Sequence, residues 1–185
     1  MIAWVDLETT GLDERIGHML EIAVVLTTDD LDEIAQVVRL VKPPWASRDD
    51  LARRLDPVVY EMHEKSGLLQ AVEQLGPGNG PGAVEDVIGD WLMGADHAET
   101  PLAGSTVGFD RRWLRHHMPA LEARFSYRSI DVSSLTQLAR RLSPAVYEGR
   151  PKADKDKAHR ALADVRESIE YLRYYRERGF VGGGS

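Results

Sequence analysis

The stretch IAWVDLETTG, residues 2–11, joins an apolar, strand-forming run to an acidic pair, Asp6 and Glu8. Side chains two positions apart on a strand leave the same face, so both carboxylates point to one place. Two neighbouring carboxylates repel each other unless a hard divalent cation binds between them. The pair therefore indicates a metal site at the end of the first strand. An acidic strand end that caps a following helix through Thr9 and Thr10 explains the same residues about as well.

The pattern on either side of this strand predicts an α/β domain. Apolar runs rich in β-branched residues predict further strands, and helical periodicity alternates with them along the chain. A strand meander followed by mixed strands and helices predicts a five-stranded mixed sheet flanked by helices. The predicted strands are Ile2–Val5, Met19–Thr28, Ile34–Val41, Pro101–Ala103 and Tyr127–Val132. The predicted helices are two short ones from Arg48, divided at Pro57, then Leu68–Leu75, Ala83–Met93, Phe109–His117, Ser133–Leu142 and Arg160–Arg178.

The chain has the length of one ordinary domain, at 185 residues. We expect a single domain over residues 1–178 and a flexible, glycine-rich tail over residues 179–185. The glycine- and proline-rich segment GPGNGPG, residues 76–82, predicts a surface loop, because these residues disfavour both helix and strand.

The composition is that of a soluble globular protein, with 43% hydrophobic and 29% charged residues. There is no cysteine, so any metal must bind through oxygen or nitrogen. The formal net charge of −7 argues against a protein that holds long nucleic acid by neutralising many phosphates. Binding of a short nucleic acid is still compatible with this net charge, because divalent cations in an acidic pocket supply positive charge locally. The first residues show neither a basic leader nor a long apolar run, which favours a cytoplasmic protein without a membrane span.

Three further residues have the chemistry of a metal-dependent site. Asp110 follows a loop of small residues at the start of a predicted helix, where an aspartate is also a routine N-cap. His159 and Asp164, in HRALAD, would diverge by about 140° on one ideal helix. They can converge if His159 lies on the loop before the helix and Asp164 lies within its second turn. Taken separately, each of the two is also compatible with a solvated surface.

The order Asp-x-Glu, then Asp, then His-x4-Asp resembles the DEDDh family of 3′–5′ exonucleases. The segments at 62–69, 104–141 and 159–177 are similar to the oligoribonucleases of that family, and the similarity runs from residue 1 to about residue 178. This resemblance implies an RNase H-like fold, two divalent ions (Mg²⁺ or Mn²⁺) and a homodimer. It also implies cleavage of dinucleotides and other very short RNA to mononucleotides.

The resemblance also implies a role for each site residue. Asp6, Glu8 and Asp164 would hold one metal ion, Asp6 and Asp110 would hold the second, and His159 would be the general base. A histidine that titrates near neutral pH suits that role. The substrate contacts would be Leu12 between the two bases, Thr106, Arg128 and Ser133 around the 5′ phosphate, and Tyr127 from the partner subunit.

The physical chemistry of the substrate residues agrees in part with those roles. The Arg128 guanidinium offers a fork for phosphate oxygens, and the hydroxyls of Thr106 and Ser133 offer donors. Without the resemblance, a surface ion pair for Arg128 and a core position for Tyr127 would be the simpler interpretations. Two positions depart from the family pattern: Val58 stands where many members have a tryptophan, and Thr106 stands where a serine is expected.

Two other functions stay open at this point. The motif DLETTG suits a proofreading-type DNA exonuclease equally well, and a non-catalytic binding module on the same fold is a third possibility. For the basic residues outside the acidic motifs we expect solvated surface; these are His63, Arg111, Arg112, His116 and His117. Tyr171, Tyr174 and Tyr175 are expected to be core or dimer contacts. The charged segment 152–157 is expected to be a mobile loop that places His159 near substrate.

Overall fold

A mixed five-stranded sheet forms the centre of the protein, as the sequence predicts. In the computed structural model, which describes residues 1–45, 47–92, 97, 99–152 and 159–180, the strand order is β3-β2-β1-β4-β5. β1 and β3 are antiparallel to β2, whereas β4 is parallel to both β1 and β5. The strands are β1 (Ile2–Thr9), β2 (Met19–Thr27), β3 (Glu33–Leu40), β4 (Pro101–Gly104) and β5 (Ser126–Asp131).

Helices cover both faces of this sheet. Along β1, Ala3 and Val5 pack in one apolar cluster with residues of α4, α5 and α6, whereas Ile2 and Trp4 pack in a second cluster with α7 and α9. A third cluster joins α1 and α3 to the start of β2. None of the helices in the described part of the chain is long and apolar enough to cross a membrane. The helices are α1 (Arg48–Arg54), α2 (Pro57–Lys65), α3 (Leu68–Glu73), α4 (Pro81–Trp91), α5 (Gly108–His117), α6 (Pro119–Glu122), α7 (Val132–Leu142), α8 (Pro144–Glu148) and α9 (Ala161–Glu177).

The main departure from the predicted elements lies in the segment at 76–82. A short 3₁₀ turn covers Pro77–Asn79, and α4 begins at Pro81 rather than Ala83. Proline is favoured in the first turn of a helix, where its missing N–H has no partner to lose. The Asn79 carbonyl also accepts a hydrogen bond from the backbone N–H of Lys42, at 2.7 Å. The segment is therefore tied to the end of β3 and is only partly a loop.

At the C-terminal end, Phe180 packs on Tyr175, with ring centroids 5.7 Å apart. The flexible tail predicted for residues 179–185 falls mostly outside the described residues.

Candidate active site

β1 delivers Asp6 and Glu8 to the face of the sheet that α9 covers. Ile2 and Trp4 precede them in the same alternating set and pack in the cluster that includes α9. Because side chains alternate along a strand, Asp6 and Glu8 continue this face toward the C-terminal end of β1. The predicted convergence of the two carboxylates is therefore present in the fold.

Asp164 completes a cluster of three carboxylates. It lies in the first turn of α9, and one oxygen each from Asp6, Glu8 and Asp164 lies within 4.8 Å of the other two. Burial raises the pKa of Glu8 from 4.5 to about 8, and the charges of Asp164 and Glu21 act in the same direction. These carboxylates disfavour one another's charge, which is the condition that a divalent cation relieves. Oxygen ligands at this spacing fit Mg²⁺ or Mn²⁺.

Asp110 reaches the same cavity from α5. The interpretation of Asp110 as an N-cap is wrong, because α5 begins at Gly108 and Asp110 lies inside its first turn. Its side chain is buried, only 3% exposed, beside the backbone of Leu7. Burial is the main cause that raises the pKa of Asp110 from 3.8 to about 7. A cavity of about 320 Å³ is lined by Asp6, Leu7, Glu8, Leu12, Ser105, Thr106, Phe109, Asp110, His159 and Asp164.

His159 lies on the segment before α9, with an exposed side chain at this cavity. The position before the helix agrees with the prediction, and Asp164 lies one turn earlier than predicted. The start of α9 is fixed by Glu21 of β2, a side chain only 1% exposed that sequence analysis did not single out. Its carboxylate accepts from Arg160 Nε at 3.0 Å and from the backbone N–H of Ala161 at 3.0 Å.

Glu21 is also the cross-strand partner of Glu8, so it lies beside the acidic cluster. It therefore ties β2, the neighbour of the strand that carries Glu8, to the helix that carries Asp164. The available sequence signal was an acid near the start of MLEIAVVLT, an otherwise apolar strand. A buried acid in such a strand requires donors, and Arg160 and Ala161 supply them.

His63 is buried beside the acids, and the prediction that it lies on the solvated surface is wrong. Its side chain is 0% exposed, and Nε2 lies 2.9 Å from the Thr9 carbonyl oxygen. Nδ1 lies 3.8 Å from Glu8 Oε2 and has no hydrogen-bond partner within the described residues. Burial lowers the pKa of His63, which favours the neutral imidazole. His63 is therefore a polar neighbour of Glu8 that residue patterns alone missed.

Leu12 and Thr106 line the cavity, whereas Ser133 lies outside its lining, next to Thr106. The Leu12 side chain is 82% exposed and lines the cavity, which suits a wedge between bases. Thr106 adopts a left-handed backbone (φ 59°) in the turn between β4 and α5, and its Oγ1 lies 3.1 Å from Ser133 Oγ. Asp131 Oδ1 accepts from the backbone N–H groups of both residues, at 3.1 Å and 2.9 Å. The two hydroxyls are thus held as a pair.

Tyr127 and Arg128 lie at the start of β5, outside the residues that line the cavity. Tyr127 is 75% exposed, so a core position is wrong for this residue. The Arg128 guanidinium lies over the Tyr127 ring, 4.6 Å from its centroid. The pair forms one exposed cationic and aromatic unit on the strand that ends beside Ser133.

A larger cavity of about 530 Å³ lies away from the acids, lined by residues that include His18, Lys42 and His117. His117 is half-buried, stacks on Trp113 and lies 3.0 Å from the Glu14 carbonyl oxygen, so the surface prediction is wrong for it too. His116 is exposed, as expected. Among the described residues, the lining of this larger cavity contains no carboxylate, so the acidic cavity is the better candidate for metal-dependent chemistry.

Several other predictions have mixed outcomes. Tyr175 is fully buried, while Tyr171 and Tyr174 pack partly buried against the same cluster, so the core interpretation is confirmed. Arg112 is exposed, as expected, but Arg111 is buried. Val58 is exposed on α2. Most of the charged segment 152–157 lies outside the described residues, so its predicted mobility stays a prediction.

The fold is similar to that of solved exonucleases. Exonuclease I from Methylocaldum szegediense superposes with a TM-score of 0.72 at 23% identity, over 97% of this chain. E. coli exonuclease I in complex with a 5cy-dT13 oligonucleotide gives a TM-score of 0.67 at 18% identity, over 96% of this chain. The match spans 41% and 40% of those two chains, so it establishes the fold of this domain alone.

Sequence comparison is more specific. The RNase T exonuclease family matches residues 3–172. An oligoribonuclease from Leifsonia xyli is 40% identical over 187 residues, covering 97% of this chain and 84% of that protein. The oligoribonuclease from Bordetella pertussis is 41% identical over 180 residues, covering 95% and 93%. The chain therefore belongs to the RNase T exonuclease family and, within it, to the oligoribonucleases.

Proposed function

We propose that this protein is a 3′–5′ exoribonuclease that hydrolyses dinucleotides and very short RNA to nucleoside 5′-monophosphates. The observation that carries the proposal is the convergence of four acids and one histidine on a single cavity, in a chain that belongs to the oligoribonucleases. The four acids, Asp6, Glu8, Asp110 and Asp164, come from a strand and from helices on both faces of the sheet. Such an arrangement is chemically costly and has no evident purpose in a scaffold.

In this proposal, Asp6, Glu8 and Asp164 hold one divalent ion, and Asp6 and Asp110 hold a second. When bound, such ions lower the pKa of water and offset the charge that develops on a phosphate. His159 accepts the proton of the attacking water, whose oxygen forms a bond to phosphorus while the P–O3′ bond breaks. The leaving 3′ oxygen takes up a proton, and a nucleoside 5′-monophosphate is released.

Substrate length follows from the residues around the cavity. Leu12 projects where it can separate two bases, and the Thr106 and Ser133 hydroxyls offer donors to a 5′ phosphate. Arg128, together with Tyr127 from the partner subunit, would close this end of the pocket and limit the RNA to a few nucleotides. The closed end explains how a protein with a net charge of −7 can act on RNA without a basic groove.

We further propose that the active form is a homodimer in the cytoplasm, in which Tyr127 contacts the substrate of the partner subunit. An apolar surface supports this assembly: Leu138 and Leu142 are exposed on α7, and Tyr127 is exposed on the adjacent strand. Exposed apolar groups of this kind commonly mark protein interfaces. A mass measurement in solution tests the assembly, and a monomer at micromolar concentration would contradict it.

The decisive experiment compares turnover of a diribonucleotide, an RNA of about twenty nucleotides and single-stranded DNA, all with Mg²⁺. We expect the diribonucleotide to be favoured strongly. Equal turnover of the three substrates would contradict the proposal, and preferred turnover of mismatched DNA ends would favour a proofreading-type DNA exonuclease.

A pair of variants separates a catalyst from a binding module. Asp110→Asn should lower kcat by orders of magnitude, whereas Asp90→Asn, at an exposed position of α4, should leave it unchanged. Binding of a dinucleotide without any turnover by the wild type would point to a non-catalytic module instead.

A further inference from the structure

Arg111, the residue after Asp110, is a buried arginine whose two terminal nitrogens donate to the start of β5. It is 6% exposed, and its Nε donates to Glu122 Oε1 at 2.7 Å. Nη1 donates to three acceptors at 2.8–3.0 Å, and Nη2 donates to a fourth. These four acceptors belong to consecutive residues: the carbonyls of Ser126, Tyr127 and Arg128 and the hydroxyl of Ser129.

The same segment interrupts the pairing of β4 with β5. Pro101 pairs with Ser126, but the next residue, Leu102, pairs with Ser129. Tyr127 and Arg128 are therefore two extra residues on β5, which bulge out of the ladder. A bulge redirects side chains and leaves backbone groups without ladder partners. Arg111 supplies donors to the carbonyls of both extra residues, so it compensates for the bonds that the ladder does not make.

We propose that Arg111 is a positioning residue that sets the preference for a 5′-phosphorylated substrate. It holds the bulge in the conformation that presents Tyr127 and Arg128 together. The inference rests on the proposed function, in which Arg128 contacts the 5′ phosphate of its own subunit's substrate and Tyr127 contacts the substrate of the partner subunit. It extends that function, because it assigns to the buried Arg111 guanidinium the position of the Tyr127 and Arg128 side chains that contact substrate.

The hydrogen bonds that each guanidinium group already makes distinguish the roles of Arg111 and Arg128. A guanidinium has five N–H donors, and Arg111 directs all three of its nitrogens at protein acceptors. Arg111 therefore has little capacity to bind phosphate itself. Arg128 instead lies with its guanidinium over the face of the Tyr127 ring, an arrangement that leaves N–H groups at the edge of the guanidinium for phosphate oxygens.

Arg111 also links the acidic cavity to the β5 bulge, because it follows Asp110 on α5 and donates hydrogen bonds to β5. Lysine is too compact to replace it: one ammonium offers three donors from a single atom and cannot span four acceptors and Glu122. Arg111→Lys should keep the charge and loosen the bulge. A matched control exists one turn later on α5, since Arg115 Nε also contacts Glu122 Oε1, at 3.1 Å, but its described hydrogen bonds include none to β5.

The experiment measures kcat/KM for a 5′-phosphorylated dinucleotide and for the same dinucleotide without the 5′ phosphate. A third substrate, the p-nitrophenyl ester of thymidine 5′-monophosphate, reports on hydrolysis without a 5′-phosphate contact. We expect Arg111→Lys to lower the phosphorylated-to-unphosphorylated ratio by about tenfold or more, the scale of one charge-assisted hydrogen bond. Its turnover of the nitrophenyl ester should stay within about twofold of the wild type, and Arg115→Lys should change neither quantity.

A double-variant cycle gives a second readout. If Arg111 acts through Arg128, adding Arg111→Lys to Arg128→Ala should produce no further loss of the phosphate ratio. If Arg111→Lys does not fold, Ser129→Ala removes a single acceptor and should lower the ratio by about threefold.

The outcomes separate this inference from the proposed function. A wild type that prefers the phosphorylated dinucleotide, together with an Arg111→Lys variant that keeps the full preference, overturns the inference alone. An equal loss on all three substrates also overturns it, because Arg111 would then act on the fold or the metal site. A wild type that hydrolyses the two dinucleotides equally well overturns the inference and the proposed 5′-phosphate contact, whereas hydrolysis of short RNA is tested separately by comparing substrates of different length.

Discussion

Glu8 should make the metal-free protein less stable as the pH rises. In the folded chain, burial and the charges of Asp164 and Glu21 raise the pKa of Glu8 from 4.5 to about 8. In the unfolded chain the same group ionises near its ordinary value. The unfolded state therefore loses the proton first, and the stabilisation from Glu8 is complete below about pH 4.5 and lost as the pH rises through about 8.

The size of the effect follows from the pKa difference. A shift from 4.5 to about 8 corresponds to at most roughly 5 kcal/mol of unfolding free energy. This is a large part of the roughly 5–15 kcal/mol that stabilises a typical domain. Asp110 acts in the same direction, since burial raises its pKa to about 7. His63 acts in the opposite direction near neutral pH, because burial lowers its pKa.

The assay is urea unfolding with EDTA at about pH 5, 7 and 8.5, for the wild type and for Glu8→Gln. The difference between the two proteins isolates Glu8 from His63 and Asp110. We expect Glu8→Gln to be as stable as the wild type near pH 5 and more stable by several kcal/mol, roughly 3–5, near pH 8.5. Glu61→Gln, at an exposed position of α2, is the control and should follow the wild type.

A second measurement repeats the unfolding experiment with a divalent metal ion in place of EDTA. Metal competes with protons for the carboxylates, so stabilisation of the wild type by Mn²⁺ should increase from pH 5 to pH 8.5. The reasoning is refuted if the wild type and Glu8→Gln show the same pH dependence in EDTA, or if Glu8→Gln is the less stable protein near pH 8.5.

Three further predictions concern residues around the site. Glu21→Ala removes the acceptor of the Arg160 guanidinium and of the Ala161 N–H, so the unfolding free energy should fall by about 2–3 kcal/mol in urea, and Glu21→Gln should lose less. Val58→Trp should lower KM for a dinucleotide by about tenfold with little change in kcat, because stacking on one base contributes about 1–3 kcal/mol; an unchanged KM would show that Val58 does not face a base. Gly104→Ala places Cβ 2.8 Å from the Val5 carbonyl oxygen and should cost about 1–3 kcal/mol of stability, whereas Gly108→Ala has open space and should be tolerated.

The sheet and the acidic cluster could be predicted because their signals are local. Alternation along β1 fixes which face Asp6 and Glu8 occupy, and a helix start between His159 and Asp164 was predicted as the condition under which these two residues converge. Only the family resemblance predicted that these residues form one site, because no local sequence pattern indicates that β1 and α9 lie next to each other. Asp110 was found in the same way, at the start of a predicted helix, and only its alternative interpretation as an N-cap was wrong.

His63, Glu21 and Arg111 could not be assigned roles from the sequence, and the reason is physical. His63 contacts the carbonyl of a residue 54 positions away, and Glu21 contacts Arg160 across 139 positions. Each is a polar residue whose burial is offset by partners that only the tertiary fold brings near. A lone histidine or arginine on a helix is usually solvated, so the surface interpretation was reasonable before those partners were known.

The dependence of activity on salt tests whether this site acts on short RNA through local contacts. Binding that neutralises Z phosphates of a single strand gives a slope of log affinity against log salt of about −0.7Z. If the 5′ phosphate and the scissile phosphate are the only ones held, the slope for kcat/KM on a dinucleotide should lie between 0 and about −1.5 at constant Mg²⁺. A slope steeper than about −3 would require a basic surface that contacts several phosphates, and it would contradict a pocket closed beside Thr106 and Ser133. The net charge of −7 makes the shallow slope the expected result, because long-range attraction of RNA to this protein is unfavourable and recognition depends on contacts inside the cavity.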